Sequence, residues 1–459
     1  MRKTYTIIFF LFSITLIAQN SDDKFQRPMV DVLNDLQQKY DVRIKYNVQD
    51  FANYDLIYAD WRLVPGDLEA SLKNILAPFD YAFVKQDERT YKVKPFQYHL
   101  VTPERGAERL EYLKTLYSDK ESWEERRAEL RMCIREAVGI NDLPSTSNPD
   151  VILSGKRKYA GYTVENIALE TVAGLYVTGS IYMPSRIKGK APVILSPNGH
   201  FQDGRYNKDV QIRCATLAKM GAIVVNYDLF GWGESAMQVG STSHRMSIAH
   251  TIQANNSIKL LDYLLMLKGA DPERVAITGG SGGGSMTMLI AAIDDRIKVS
   301  VPVVMTSSFH SGGCPCESGM PIHLCGEQTN NAEIAAIFAP KPQLIISDGG
   351  DWTFQVPEVE YPFIKRTYEF YGASDKVSNV HLAREKHDYG FSKRKAMYQF
   401  MSENLGLDLS AIKNAAGKID DSDIVVEEQE KMYVFGNDPN SLPDGAVLHI
   451  DELIEKLNK

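Results

Sequence analysis

Thr278-Gly279-Gly280-Ser281-Gly282-Gly283-Gly284 follows the apolar run Val275-Ala276-Ile277 and leads into a second apolar run that ends at Ile293. A β-branched run, a glycine-rich bend and a longer apolar run read as strand, tight turn and helix. The central serine of Gly-x-Ser-x-Gly then stands on the bend, with its hydroxyl presented above a sheet. Only the smallest neighbours let strand and helix approach so closely, which gives Gly279 and Gly283 a steric task. The helix N-terminus directs N–H groups and the positive end of its dipole at developing negative charge. The N–H of Gly282 is therefore a candidate half of an oxyanion hole. Other glycine-rich turns fit less well. A phosphate loop needs Lys after its last Gly, where Ser285-Met286 stands. A dinucleotide fingerprint opens its domain and carries an acid about 20 residues on, whereas this turn follows four expected strands.

Outward from the turn, strands and helices alternate from residue 150 to about 407, the pattern of a largely parallel, doubly wound α/β sheet. Tyr162–Met183 reads as a hairpin. Strands are expected at 192–196, 222–227, 275–278, 299–305, 344–347 and 380–382. Helices are expected at 210–220, 244–267, 360–371 and 392–405.

A nucleophilic serine needs a base and an acid, and in this arrangement they follow it in the order Ser, acid, His. His387-Asp388-Tyr389-Gly390 comes after the last expected strand, where an imidazole can reach back over the sheet to take the serine proton. His244 and His250 fall on an expected helix and read as packing or surface residues. Asp348 and Asp351 both follow strand 344–347. Asp351 is preferred as the acid because it lies just beyond the strand end, while Asp348 suits a turn cap. The second oxyanion N–H is expected from Gly199, His200 or Phe201, in the loop after strand 192–196. Asp228, in the Asp-Leu-Phe-Gly-Trp-Gly-Glu-Ser loop, reads as structural. This chemistry requires no cofactor and no metal ion.

Residues 150 to about 407 resemble the acetyl xylan esterase and dienelactone hydrolase-like branch of the α/β-hydrolases. The stretches that carry the resemblance are VILSPNGH, NYDLFGWGES, ITGGSGGGSMTMLIAAIDDRIKVSVPVVM, GGCPCE, EIAAIFAPKPQLIISDGGDWT and HDYG. The resemblance implies hydrolysis of acetyl esters, or sometimes methyl esters of uronic acids, on plant polysaccharide or oligosaccharide. Dienelactone hydrolases use a cysteine nucleophile where this chain has Ser281. Glucuronoyl esterases carry a basic residue two after the serine, where Gly283 stands.

Five cysteines occur, at 133, 214, 314, 316 and 325. The loop Ser307–Asn331 holds three of them with His310 and His323, and such long loops are often functional. A disulfide from Cys325 to Cys314 or Cys316 fits an oxidising compartment. A zinc set of Cys314, Cys316, His323 and Cys325 has unusual spacing and is disfavoured.

Met1-Arg2-Lys3, an apolar run to Ile17 and Ala18 describe a signal peptide over residues 1–18, which predicts a periplasmic or secreted protein. The run is too short to span a bilayer, and no later stretch is long and apolar enough to do so, so no membrane span is expected in the mature chain. Residues 25–97 read as a small β-α-β domain. Its LNDLQQKYDVRIKY and GDLEASLKNILAPFDYAFV stretches resemble the short N-terminal module of secretins and TonB-linked receptors, which implies a protein partner. A helical connector is expected at 104–140. A tail at 408–459 is expected to carry a strand at Met432–Phe435 and a short helix near 450–457. The 459 residues have a formal net charge of −8, and no basic tract offers a nucleic-acid backbone a partner.

Overall fold

A computed structural model describes residues 26–457 except 53, 57–58, 77–78, 80, 96–99, 145–148, 202 and 318–319. The signal peptide expected over 1–18 lies outside the described residues. Among those described, no helix is long and apolar enough to cross a membrane. The chain divides into two compact units, Met1–Phe96 and Gln97–Lys459.

In the first unit, helix Met29–Tyr40 carries Met29, Val32, Leu33 and Leu36 at three- and four-residue steps. That stripe packs with Leu72, Ile75 and Leu76 of helix Leu68–Leu76 into one apolar cluster. The helices accompany a three-stranded sheet with Thr90–Pro95 in the middle, Arg43–Lys45 parallel to it and Tyr81–Asp87 antiparallel. Asp41 takes the left-handed conformation (φ 51°) that stops the first helix.

The second unit is built on nine strands: β1 Val151–Lys158, β2 Tyr162–Val172, β3 Leu175–Pro184, β4 Ala191–Leu195, β5 Ile223–Tyr227, β6 Ala270–Gly280, β7 Val299–Val303, β8 Gln343–Asp348 and β9 Val377–Leu382. Their order across the sheet is β9-β8-β7-β6-β4-β5-β3-β2-β1. The strands β4 to β9 pair in parallel, and β1, β2 and β3 form an antiparallel meander joined to β5. The central strands are buried along their whole length, as strands covered on both faces must be. Neighbours β4 and β5 stand in reversed order, so successive crossovers leave on opposite sides. Both β6 and its following turn therefore come to the middle of the sheet.

The segments read as a connector and a tail belong to this unit. Helices Pro103–Lys114 and Lys120–Val138 bury Leu110, Leu113, Trp123, Leu130 and Ile134 in the cluster that contains Ile277 and Leu289. The tail does carry helix Ile450–Leu457, but the strand expected at Met432–Phe435 is absent. Instead the N–H groups of Val434, Phe435 and Gly436 all donate to the Glu234 carboxylate, at 2.6 to 3.0 Å. A carboxylate that accepts three successive amides takes the place of a strand ladder.

Glu234 belongs to a buried ionic cluster. Arg205, with no solvent exposure, pairs with Asp228 at 3.0 Å and with Glu234, and donates to Ser180 Oγ at 3.1 Å and the Met432 carbonyl at 2.7 Å. Arg205→Met is expected to lower unfolding stability in urea by about 3–5 kcal/mol, because two carboxylates then stay buried without their cation. A loss under about 1 kcal/mol would mean that water already screens the cluster.

Candidate active site

Ser281 occupies the bend between β6 and helix Gly282–Ile293 with φ 56° and ψ −125°. A non-glycine residue held there stores about 1–3 kcal/mol of backbone strain. Its N–H donates to the Val303 carbonyl at 3.0 Å, and its own carbonyl accepts from Gly284 N–H at 2.7 Å. A side-chain carbon on Gly279 would lie 2.5 Å from the Gly283 carbonyl oxygen, and one on Gly283 would lie 2.3 Å from that of Pro197. Both glycines therefore stand where strand, helix and the loop after β4 converge.

His387 follows β9. Its Nδ1 lies 2.6 Å from Asp351 Oδ2. The other carboxylate oxygen, Oδ1, accepts from Thr353 N–H at 2.6 Å and from its hydroxyl at 2.5 Å. The carboxylate is thus clamped before it meets the imidazole. Asp348 is placed elsewhere: it lies 3.0 Å from Lys393 Nζ, accepts from Gly350 N–H, and is fully buried. Two residues beyond the histidine, the Tyr389 hydroxyl meets Thr278 Oγ1 at 2.7 Å. Its ring lies against Gly280, 3.3 Å from where a side-chain carbon would be. The loop that bears His387 is thereby tied to the strand that ends in Ser281. Among the described residues no hydrogen bond joins Ser281 Oγ to His387, and serine–base contacts often close only on substrate binding.

The predicted oxyanion residues border the same point. A side-chain carbon on Gly199 would lie 2.9 Å from Ser281 Cβ, and one on Gly282 would lie 3.0 Å from the His200 ring and 2.7 Å from Glu317 Oε2. The backbone of Gly282 and the 199–201 loop therefore lie next to the serine and to each other. Glu317 Oε2 is buried without a hydrogen-bond partner, and burial pushes this carboxyl up to about 7.

Trp352 was not singled out by sequence; it lies between His387 and His310, tilted 47° and 44° to their rings, with ring centroids 4.4 and 4.2 Å away. Burial holds the His310 imidazole down to about 4. His244, expected on a helix beginning there, lies on the turn Ser241–Arg245, because helix Ile248–Met266 starts four residues later. Its ring faces that of His200, Nε2 to Nε2 at 2.7 Å, and burial holds both imidazoles down to about 4. Cys314 and Cys316 lie against the pair, and the four donor atoms fall within 4.8 Å of one another.

The disulfide expectation requires correction. Cys325 pairs with Cys133 (Cα–Cα 5.7 Å), because segment Met320–Gln328 packs on helix Lys120–Val138. Cys314 pairs with Cys316. His323 Nε2 meets Asn331 Oδ1 at 3.0 Å, so the set Cys314, Cys316, His323 and Cys325 is not assembled.

The strand order and the strand–turn–helix at 278–284 define a hydrolase of the α/β-hydrolase fold. The model of the X-Pro dipeptidyl-peptidase (S15) family matches residues 174–339, which hold β3 to β7 and the serine turn. Methylesterase BT1017, a solved structure, is 49% identical, with 95% of this chain and 97% of that one covered and a TM-score of 0.76. "Putative hydrolase YtaP" of Bacillus subtilis (strain 168) is 25% identical over 201 residues, 40% of this chain and 66% of that protein, just under two thirds of its length. A "putative acetyl xylan esterase" structure from Bacteroides fragilis NCTC 9343 is 15% identical, with 64% of this chain and 80% of that one covered and a TM-score of 0.47. The chain belongs to the family of methylesterase BT1017.

Proposed function

We propose that this protein is an exported serine esterase that removes methyl esters from uronic acids of plant polysaccharide or oligosaccharides. The observation that carries the ester class is the 49% identity to a methylesterase along nearly the whole of both chains. In the reading offered, Ser281 attacks the ester carbonyl while His387 Nε2 takes its proton, and Asp351 holds the imidazole tautomer and stabilises the imidazolium. The tetrahedral oxyanion lies against the N–H of Gly282 and one from the loop of Gly199, His200 and Phe201. His387 then protonates the departing methanol. Water, activated by the same imidazole, hydrolyses the uronoyl-enzyme to the free acid. The bond between Asp351 and His387, the strained Ser281 backbone and the clamped carboxylate all support this assignment.

Acetyl esters are the second ester reading. The match to the X-Pro dipeptidyl-peptidase model supports a peptidase reading over residues 174–339 alone. One assay separates them: the purified chain is given a methyl-esterified polyuronide, acetylated xylan and an X-Pro anilide. Methanol release is expected. Acetate or anilide release without methanol would overturn the substrate assignment. The first unit, Met1–Phe96, is read as a docking module for a protein partner.

A further inference from the structure

Beyond the ester chemistry, we propose that His200, His244, Cys314 and Cys316 form a four-ligand site for a divalent cation of the zinc class. The donors come from three loops remote in sequence: the loop after β4, the turn Ser241–Arg245 and the loop after β7. Two imidazole nitrogens and two sulfurs are the donor set of closed, structural zinc sites.

Spacing is the first support. His200 Nε2 lies 3.1 Å from Cys316 Sγ and 3.4 Å from Cys314 Sγ, and His244 Nε2 lies 3.6 Å from Cys314 Sγ. Tetrahedral coordination with Zn–N of about 2.0–2.1 Å and Zn–S of about 2.3 Å requires N···S separations of about 3.5 Å. The two Nε2 atoms, 2.7 Å apart, would open to about 3.3 Å on the same geometry.

The proton inventory is the second support. His244 Nδ1 lies 2.7 Å from the Phe230 carbonyl, which can only accept, so Nδ1 carries the proton and Nε2 presents a lone pair. Across from it, His200 Nδ1 faces Glu317 Oε1 at 3.6 Å. That separation is longer than a hydrogen bond and does not fix the His200 tautomer. Without a cation, a proton on His200 Nε2 is donated to His244 Nε2 across the 2.7 Å gap. A cation takes the place of that proton, so that both Nε2 atoms give it a lone pair, and the Phe230 carbonyl stays the outer partner of His244.

The sulfurs have two mutually exclusive states. As synthesised they are thiols, and loading of the cation releases two protons and makes two metal–sulfur bonds. The bonded pair seen in the structure forms by loss of two electrons and two protons to a small-molecule disulfide, which is reduced to two thiols. That bond joins residues only two apart, whereas the cation ties three loops together. Because His200 and the Gly199–Phe201 amides share a loop, the site would hold that edge of the pocket in register. It is a positioning device and touches no reacting atom.

The test uses the full chain, mildly reduced and dialysed against zinc, with no substrate. One equivalent of zinc per chain is expected. With Cys133–Cys325 intact, unfolding in chelator should free three thiols, those of Cys214, Cys314 and Cys316, against one if the short disulfide persists. Cobalt(II) in place of zinc should give the intense visible bands of a tetrahedral ion and a near-ultraviolet thiolate-to-cobalt transition. Both should vanish in Cys314→Ser/Cys316→Ser. No bound zinc in the reduced chain, or a cobalt spectrum without thiolate transition, would overturn the proposal. Neither readout depends on esterase activity.

Discussion

Ser281→Ala is expected to lower kcat for ester hydrolysis by about 10⁶-fold, to the background of the buffer, because triad members act as one unit. In the proposed mechanism the hydroxyl forms the covalent bond, and alanine leaves the imidazole with nothing to deprotonate. Stability should hold or rise: the strained φ of 56° stays, but the alanine side chain adds no new contact. Hydrolysis of p-nitrophenyl acetate, followed with thermal unfolding, checks both halves. A fluorophosphonate probe should label the native chain at Ser281 and leave the variant unlabelled. Activity retained above about one part in a thousand would move the nucleophile elsewhere.

Asp351→Asn is expected to cost about 10⁴-fold in kcat, or about 5.5 kcal/mol, with KM little changed. Thr353 donates twice to Oδ1, so an asparagine keeps its carbonyl oxygen there and turns its NH₂ toward His387. Facing a donor, Nδ1 gives up its proton and Nε2 carries it, which is the tautomer unable to accept from serine. Asp348→Asn should behave differently: it weakens the Lys393 pair and so affects stability more than rate. A loss under about tenfold for Asp351→Asn, against the value for such an acid, would mean that the imidazole is oriented by something else.

The parts of the molecule legible in the sequence were those with one dominant local cause. Central strands appear as unbroken apolar runs because both faces are covered, and the serine turn is fixed by the absence of side chains at 279 and 283. Strand β1 was missed because Val151–Lys158 lies at the sheet edge, where half its residues face water and its Ser-Gly-Lys-Arg-Lys end reads as loop. Met432–Phe435 has a strand's composition, but its amides are claimed by Glu234, two hundred residues earlier. His244 looked like part of a helix since apolar periodicity does not report where the first turn begins. Its apposition to His200, Cys314 and Cys316 comes only from three crossovers meeting, and no spacing in the chain announces it.

The link between Cys133 and Cys325 spans 192 positions and leaps over Cys214. Cys314 and Cys316 also lie inside that loop, while Cys214 is wholly buried on the helix Lys208–Lys219 and unpaired. A closed loop of this length restricts the unfolded chain far more than a short one, by about 5 kcal/mol on the chain-entropy view. Reduction of this one link should therefore lower the resistance to unfolding more than reduction of the link between Cys314 and Cys316, which closes almost no loop.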